Sequence, residues 1–140
     1  QPAPSILKEL DISAPPDTRM ILIETGEDHP LVWKEQMMPV MPLVRVGDVD
    51  QAIELAKEVE QECYHTALMH SRNVEKLSKM ARYMNTTLFV KNGPSYAGLG
   101  FGGEGPTAWT LASPTGEGPT MPRTYTRPRR CVLVDSFRIV

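Results

Sequence analysis

Residues 40–91 alternate strand-length apolar runs with helix-length amphipathic ones, and this order restricts the chain to a parallel α/β arrangement. Residues 40–46 are apolar and of strand length. Asp48 then opens a helix: its carboxylate can accept from the free amides of the first turn, and Gln51 stands three residues on, as in a capping box. Val49, Ala52, Ile53, Ala56 and Val59 recur at helical spacing, with Lys57, Glu58 and residues 60–62 largely on the solvent side. Residues 65–70 read as the next strand. Ser71 caps a second helix whose inner stripe is Val74, Leu77, Ala81 and Met84. Residues 86–90, rich in β-branched and aromatic side chains, supply another strand. Strand, helix, strand, helix, strand makes two consecutive βαβ units, which implies parallel pairing with right-handed crossovers.

Ahead of this core, residues 1–16 form a polar lead-in with a helical turn over 6–10. Residues 20–24 are a strand-length apolar run closed by Thr25 and Gly26. A turn at Asp28, His29 and Pro30 leads into a short helix over 31–38, stopped by Pro39. After Asn92 the periodicity disappears, until residues 131–134 and 137–140 supply a last apolar strand with no helix after it; such a strand usually pairs with another subunit. The expected division is a lead-in at 1–19, an α/β core at 20–91, a loop region at 92–130 and a terminal strand at 131–140.

At 140 residues the chain fits one domain and can bury a core. A net charge of −2 provides no field that would recruit nucleic acid. No apolar run approaches the roughly 18 residues needed to span a bilayer, and no signal peptide opens the chain. Cys63 and Cys131 do not make a secreted disulfide framework, so a reducing, intracellular compartment is expected. The chain starts at Gln1 without a Met, which suggests a trimmed polypeptide or a proteolytic fragment.

Eight of the ten glycines fall between Gly93 and Gly118. Gly98-Leu-Gly-Phe-Gly-Gly103 formally matches G-x-G-x-x-G, but the dinucleotide reading needs the glycines directly between a strand and a helix. Here residues 94–97 intervene, and Gly105 and Pro106 stand where the helix should begin. The run is better read as a loop closing one wall of a ligand pocket at the end of the strand over 86–90, since pockets in open α/β sheets lie at the carboxyl ends of strands.

The other candidates are weaker. Cys63, His65 and His70 lack a zinc spacing, and His65 and His70 point to opposite faces of a strand, so partly buried histidines are expected and no metal. Cys131 follows Arg127, Arg129 and Arg130, which could lower its pKa, yet at the head of an apolar strand it reads as a small buried hydrophobe. Cys63 ends a helix, which disfavours the thiolate. The arginines, with Arg123, suit phosphates or carboxylates and equally a solvated edge or an intersubunit ion pair. Lys34-Glu-Gln-Met-Met-Pro-Val-Met-Pro42 is a pliable apolar surface around one carboxylate, Glu35, which is either an exposed acid or an acceptor for a ribose hydroxyl.

Taken in order, several segments resemble the C-terminal part of the CoA-acylating aldehyde dehydrogenases, such as those of bacterial microcompartments. They are His29-Pro30, Glu35-Gln-Met-Met-Pro-Val-Met-Pro42, Asn92-Gly-Pro-Ser-Tyr-Ala-Gly98, Phe101-Gly-Gly-Glu-Gly105, Pro114-Thr-Gly-Glu-Gly118 and Arg129-Arg-Cys-Val-Leu-Val-Asp135. The resemblance covers nearly the whole chain. It implies an enzyme that oxidises a short aldehyde with NAD and passes the acyl group to CoA through a cysteine thioester. It further implies that Glu35 contacts the nicotinamide ribose, with Met37 where the family usually has Phe and with Pro39 closing the segment. Asn92, Phe101, Gly102 and Gly103 would line the aldehyde pocket, and Arg129 and Arg130 would meet phosphates. The family's nucleophilic cysteine lies upstream and neither Cys63 nor Cys131 matches its motif, so this chain holds no catalytic residue and is expected to be inactive alone. A homo-oligomer through the last strand, and a place in the cytoplasm or inside a microcompartment, follow from the same resemblance. The alternative is an independent nucleotide-binding or assembly module, with the arginines holding a phosphate.

Overall fold

Two units, Gln1–Gln61 and Glu62–Val140, make up the computed structural model, which describes residues 1–103, 120–132 and 134. In the first unit, helix α1 (Ala3–Glu9) starts after Pro2 and buries Ala3. Strand β1 (Ile21–Thr25) and strand β2 (Val40–Val44) pair in parallel, from Ile21 beside Val40 to Thr25 beside Val44. The crossover between them carries only one helical turn, α2 (Pro30–Trp33), capped by the His29 Nδ1 accepting from the Leu31 amide at 3.2 Å. The helix expected to run to residue 38 stops at Trp33, because Lys34 turns extended and its carbonyl accepts from the Gln36 side chain at 2.8 Å.

The pairing of β2 departs from the two consecutive βαβ units expected from sequence. The described residues form two separate two-stranded sheets, β1 with β2 and strand β3 (Thr66–Met69) with strand β4 (Leu88–Lys91). Proline chemistry explains why β2 is an edge. The Ile21 N–H donates to the Pro39 carbonyl at 2.8 Å. Backbone groups of successive strand residues point to alternate sides, so residues 39, 41 and 43 face β1 while 40, 42 and 44 face the far edge. On that edge the Val40 N–H is already taken by the Met38 carbonyl at 2.9 Å. Pro42, in the middle of the strand, has no N–H to give. A further strand would find one backbone donor there, at Val44.

Helix α3 (Val49–Glu60) starts as its sequence demands. Asp48 Oδ1 accepts from the Gln51 amide at 2.9 Å, and Gln51 Oε1 reaches back to the Gly47 amide at 2.9 Å, one residue further than a capping box. Ile53 is its anchor, with 1% of its surface exposed. The helix ends in left-handed Gln61 (φ 52°), whose side chain donates to the Trp33 carbonyl at 2.7 Å.

In the second unit, β3 and β4 pair in parallel, from Thr66 beside Leu88 to Met69 beside Lys91. Helix α4 (Val74–Met84) is the crossover and packs on β3. Asn73 rather than Ser71 is its cap: Asn73 Oδ1 accepts from the Lys76 amide at 3.0 Å, while the Ser71 hydroxyl accepts from the Asn73 amide. Its buried stripe is Leu77, Met80 and Met84, which join Ala67 and Val90 in the core. Val74, expected on that stripe, is 70% exposed, since it lies on the flank that Ser78 and Arg82 continue at four-residue spacing, bordering an outer hollow. The expected C-terminal strand lies outside the described residues except for Cys131, Val132 and Val134, which carry no strand assignment.

Candidate functional site

The glycine-rich run is organised from its first residue. Asn92 follows β4 in a left-handed conformation (φ 55°), which asparagine tolerates better than most side chains. Its N–H donates to the Met69 carbonyl at 2.9 Å. Its side chain then ties the exits of both strands together: Oδ1 accepts from the Ser71 amide at 2.7 Å and Nδ2 donates to the Ser71 carbonyl at 2.9 Å. Both polar atoms of Asn92 are therefore engaged with backbone, and its part in the loop is to position it. Sequence reasoning placed Asn92 here but missed its partner Ser71, because a side chain reaching across 21 residues to main chain leaves no spacing to read. The available signal was Asn92-Gly93 directly after a strand, a turn pair in which asparagine accepts positive φ.

The loop then folds back over the strand it left. A 3-10 turn, Ser95–Leu99, brings Gly98 against β4, where an added Cβ would lie 3.2 Å from Val90 Cγ2 and 3.5 Å from Leu88 Cβ. Gly100 (φ 88°) and Gly102 (φ 71°) reverse the chain. The Phe101 amide donates to the Tyr96 carbonyl at 3.0 Å. Gly103 closes the loop on the backbone of Ala97, so near that a Cβ would meet the carbonyl oxygen at 2.5 Å. Asn92 thus opens, and Phe101, Gly102 and Gly103 close, one loop that leaves β4 and packs back on it through Gly98, with Phe101 half exposed. Replacing Asn92 by glycine keeps the left-handed backbone and removes the tie; protection of the Ser71 amide in hydrogen exchange is expected to fall about tenfold, the loss of one to two net hydrogen bonds.

Glu35, Met37 and Pro39 belong to the first unit, between α2 and β2. Glu35 is exposed and Met37 is 96% exposed. The segment is held at both ends, by the Gln61 side chain on the Trp33 carbonyl and by the Ile21 amide on the Pro39 carbonyl. The Trp33 indole N–H also donates to the Glu27 carbonyl at 2.6 Å. A solvent-facing carboxylate beside bare methionines suits a polar ligand group attached to a flat apolar one.

Arg123, Arg127, Arg129 and Arg130 are all exposed, after a 3-10 turn at Pro122–Tyr125. His65 and His70 are exposed rather than partly buried, because β3 is only four residues long and both flank it. Cys131, expected inside an apolar strand, is exposed, as is Cys63. A hollow of about 600 Å³ runs along Val74, Ser78, Arg82 and their neighbours on α4, and none of the candidate site residues read from sequence lines it. Among the described residues no helix is long and apolar enough to cross a membrane.

No family model matches the chain. The acetylating acetaldehyde dehydrogenase EutE of Salmonella typhimurium is 52% identical to it over 138 residues, which is 99% of this chain and 30% of that protein. The chain is homologous to a segment of the CoA-acylating aldehyde dehydrogenases. It spans about 30% of the length of these curated relatives. The CoA-propanoylating propanal dehydrogenase of the same organism is 53% identical over 86% of the chain and 26% of its own length. Among solved structures, the Rhodopseudomonas palustris propionaldehyde dehydrogenase with bound CoA and an acylated cysteine superposes with a TM-score of 0.85 at 53% identity, covering 95% of this chain and 30% of that one. An engineered glycolyl-CoA reductase with bound NADP+ gives the same TM-score at 52% identity over 95% of this chain and 30% of its own. The resemblance read from the motif order is therefore correct.

Proposed function

We propose that the chain supplies one wall of the aldehyde and cofactor sites of a CoA-acylating aldehyde dehydrogenase and does not complete the reaction alone. The observation that carries this reading is the built loop at the exits of β3 and β4: the Asn92–Ser71 tie and the seats of Gly98 and Gly103 hold Phe101, Gly102 and Gly103 in one place. A wall fixed in this way orients a small aldehyde without needing a reactive group of its own.

Glu35 accepts from the nicotinamide ribose, with Met37 as the apolar neighbour and Pro39 anchoring the segment on β1. Arg129 and Arg130 meet phosphates of CoA or of the dinucleotide. Their exposure, and that of Glu35 and Met37, fits a ligand that arrives from solvent. NAD or NADP takes the hydride, and CoA takes the acyl group from a cysteine thioester. That cysteine is supplied by polypeptide outside this segment. The terminal residues 131–140 pair with a second copy, giving a homo-oligomer. The Clostridium phytofermentans relative, a propionaldehyde dehydrogenase of a fucose-utilisation microcompartment, supports the same location for the enzyme to which this chain corresponds.

The test uses the chain alone and grafted in place of its matching third in the Salmonella acetaldehyde dehydrogenase. With propionaldehyde, CoA and NAD, the chain alone is expected to form no acyl-CoA and the graft to form it. Glu35→Gln in the graft is expected to raise the KM for the dinucleotide about tenfold, the worth of one hydrogen bond to a charged acceptor, with kcat little changed. Turnover by the isolated chain, or a graft indifferent to Glu35→Gln, overturns the reading. Tight calorimetric binding of NAD or CoA to the isolated chain would point instead to an independent binding module.

A further inference from the structure

Glu35 is exposed, so where its carboxylate stands is set by the backbone on either side. Ahead of it, three hydrogen bonds converge on Trp33 and Lys34. The Lys34 amide donates to the Pro30 carbonyl at 3.0 Å and closes α2. The Trp33 indole N–H donates to the Glu27 carbonyl at 2.6 Å and holds the ring. The third bond comes from 28 residues along the chain: Gln61 Nε2 donates to the Trp33 carbonyl at 2.7 Å, two residues before Glu35. Gln61 ends α3, the helix that Ile53 anchors, so the bond runs from an anchored element to a loop. Gln61 also stands where a side chain is unfavourable. Its φ of 52° is the left-handed helix ending that glycine adopts without strain, and α4 ends in the same way on Asn85, a residue type that tolerates it. Glycine at position 61 would close the helix as well, but it could not reach Trp33. The strain is present together with the side-chain amide that makes the tie.

We infer that Gln61 is a positioning residue for the dinucleotide: its side chain fixes the Trp33 carbonyl and thereby holds Glu35 where a ribose hydroxyl can donate to it. Gln61 acts through Glu35 and does not itself touch the ligand. Apparent affinity scales with the fraction of molecules already in the binding geometry, and the tie raises that fraction. The two ends of the segment differ in their need for it. At the far end the Ile21 amide holds the Pro39 carbonyl at 2.8 Å, as part of the pairing of β1 with β2. The near end leaves α2 after four residues, and a helix of one turn is too short to hold its own end.

This inference rests on the functional reading above, since it takes Glu35 as the ribose acceptor, and the experiment separates the two. Gln61→Gly and Gln61→Glu are made in the isolated chain and in the graft; the second keeps the length of the side chain and removes its donor. In the isolated chain, exchange of the Lys34 amide is expected to accelerate about fivefold in both variants, the loss of one neutral hydrogen bond. The thermal midpoint of Gln61→Gly is expected to move by less than about 3 °C, because the relaxed backbone offsets the lost bond. In the graft, both variants are expected to raise the KM for NAD about fivefold with kcat little changed. In a graft that already carries Glu35→Gln, the same substitutions are expected to change that KM by less than about twofold, since residues acting through one contact are not additive. A fivefold effect that persists beside Glu35→Gln shows that Gln61 does not act through Glu35 and overturns the inference. Unchanged Lys34 exchange, or an unchanged KM in a graft that responds to Glu35→Gln, also overturns it and leaves the functional reading standing. A graft indifferent to Glu35→Gln removes the functional reading and this inference with it.

Discussion

Ile53→Ala is expected to remove about 2–5 kcal/mol from the first unit, a large share of what a small α/β unit can hold. Ile53 is 1% exposed and is the largest side chain among the described residues that is fully buried. Its neighbours along α3 cannot compensate. Ala52 is exposed, and Leu55, Ala56 and Val59 border the aliphatic hollow beside β2, so truncation enlarges a void that already exists. Hydrogen exchange at the α3 amides reads the effect, with protection falling by about a hundredfold for a loss near 3 kcal/mol. Ile53→Val should cost about 1 kcal/mol and serves as the graded control. Unchanged α3 protection in the alanine variant would show that Ile53 does not anchor the helix.

Gly103→Ala is expected to unseat the pocket loop, at about 1–3 kcal/mol. The added methyl would lie 2.5 Å from the Ala97 carbonyl oxygen and 3.0 Å from its carbonyl carbon and Cα, all of them backbone atoms that cannot swing aside as a side chain would. Gly102→Ala is the informative comparison. A Cβ there meets nothing within 4 Å, but the residue sits at φ 71°, so the penalty is conformational and about 1 kcal/mol. Chymotrypsin cleavage after Tyr96 and Phe101 tracks how often the loop opens. Cleavage should accelerate about tenfold or more for Gly103→Ala and less for Gly102→Ala. Equal rates in both variants would mean that glycine is needed here only for its backbone angles.

Local chemistry was the part of this fold most readable in the sequence. Asp48 and Gln51 announced the start of α3 because a cap needs only its own turn. The apolar spacing of Leu77 and Met84 announced the buried face of α4. What could not be read depended on partners distant in sequence. Pro42 was visible, but whether a proline blocks a strand depends on which edge its nitrogen faces, and only the register with Ile23 decides that. At α4 both Ser71 and Asn73 are capping residue types, and the helix begins at Val74, which puts Asn73 at the cap, with its Oδ1 on the Lys76 amide. At the site, the order of motifs pointed to the right family, while Asn92 meets the Ser71 main chain only once the two strand exits lie side by side.

The proline in β2 also governs how the chain can aggregate. Fibrils grow without limit when each added strand offers a fresh edge to the next. Here one border of the sheet is a terminator, since its central position lacks a donor and a neighbouring donor is already spent within the strand's own lead-in. Two copies meeting through their β1 borders would each turn outward a border that offers one backbone donor, at Val44, and so templates a third copy poorly. Edge-to-edge growth of the first unit is therefore disfavoured beyond a pair, by the imino acid at Pro42 together with the donor spent at Val40.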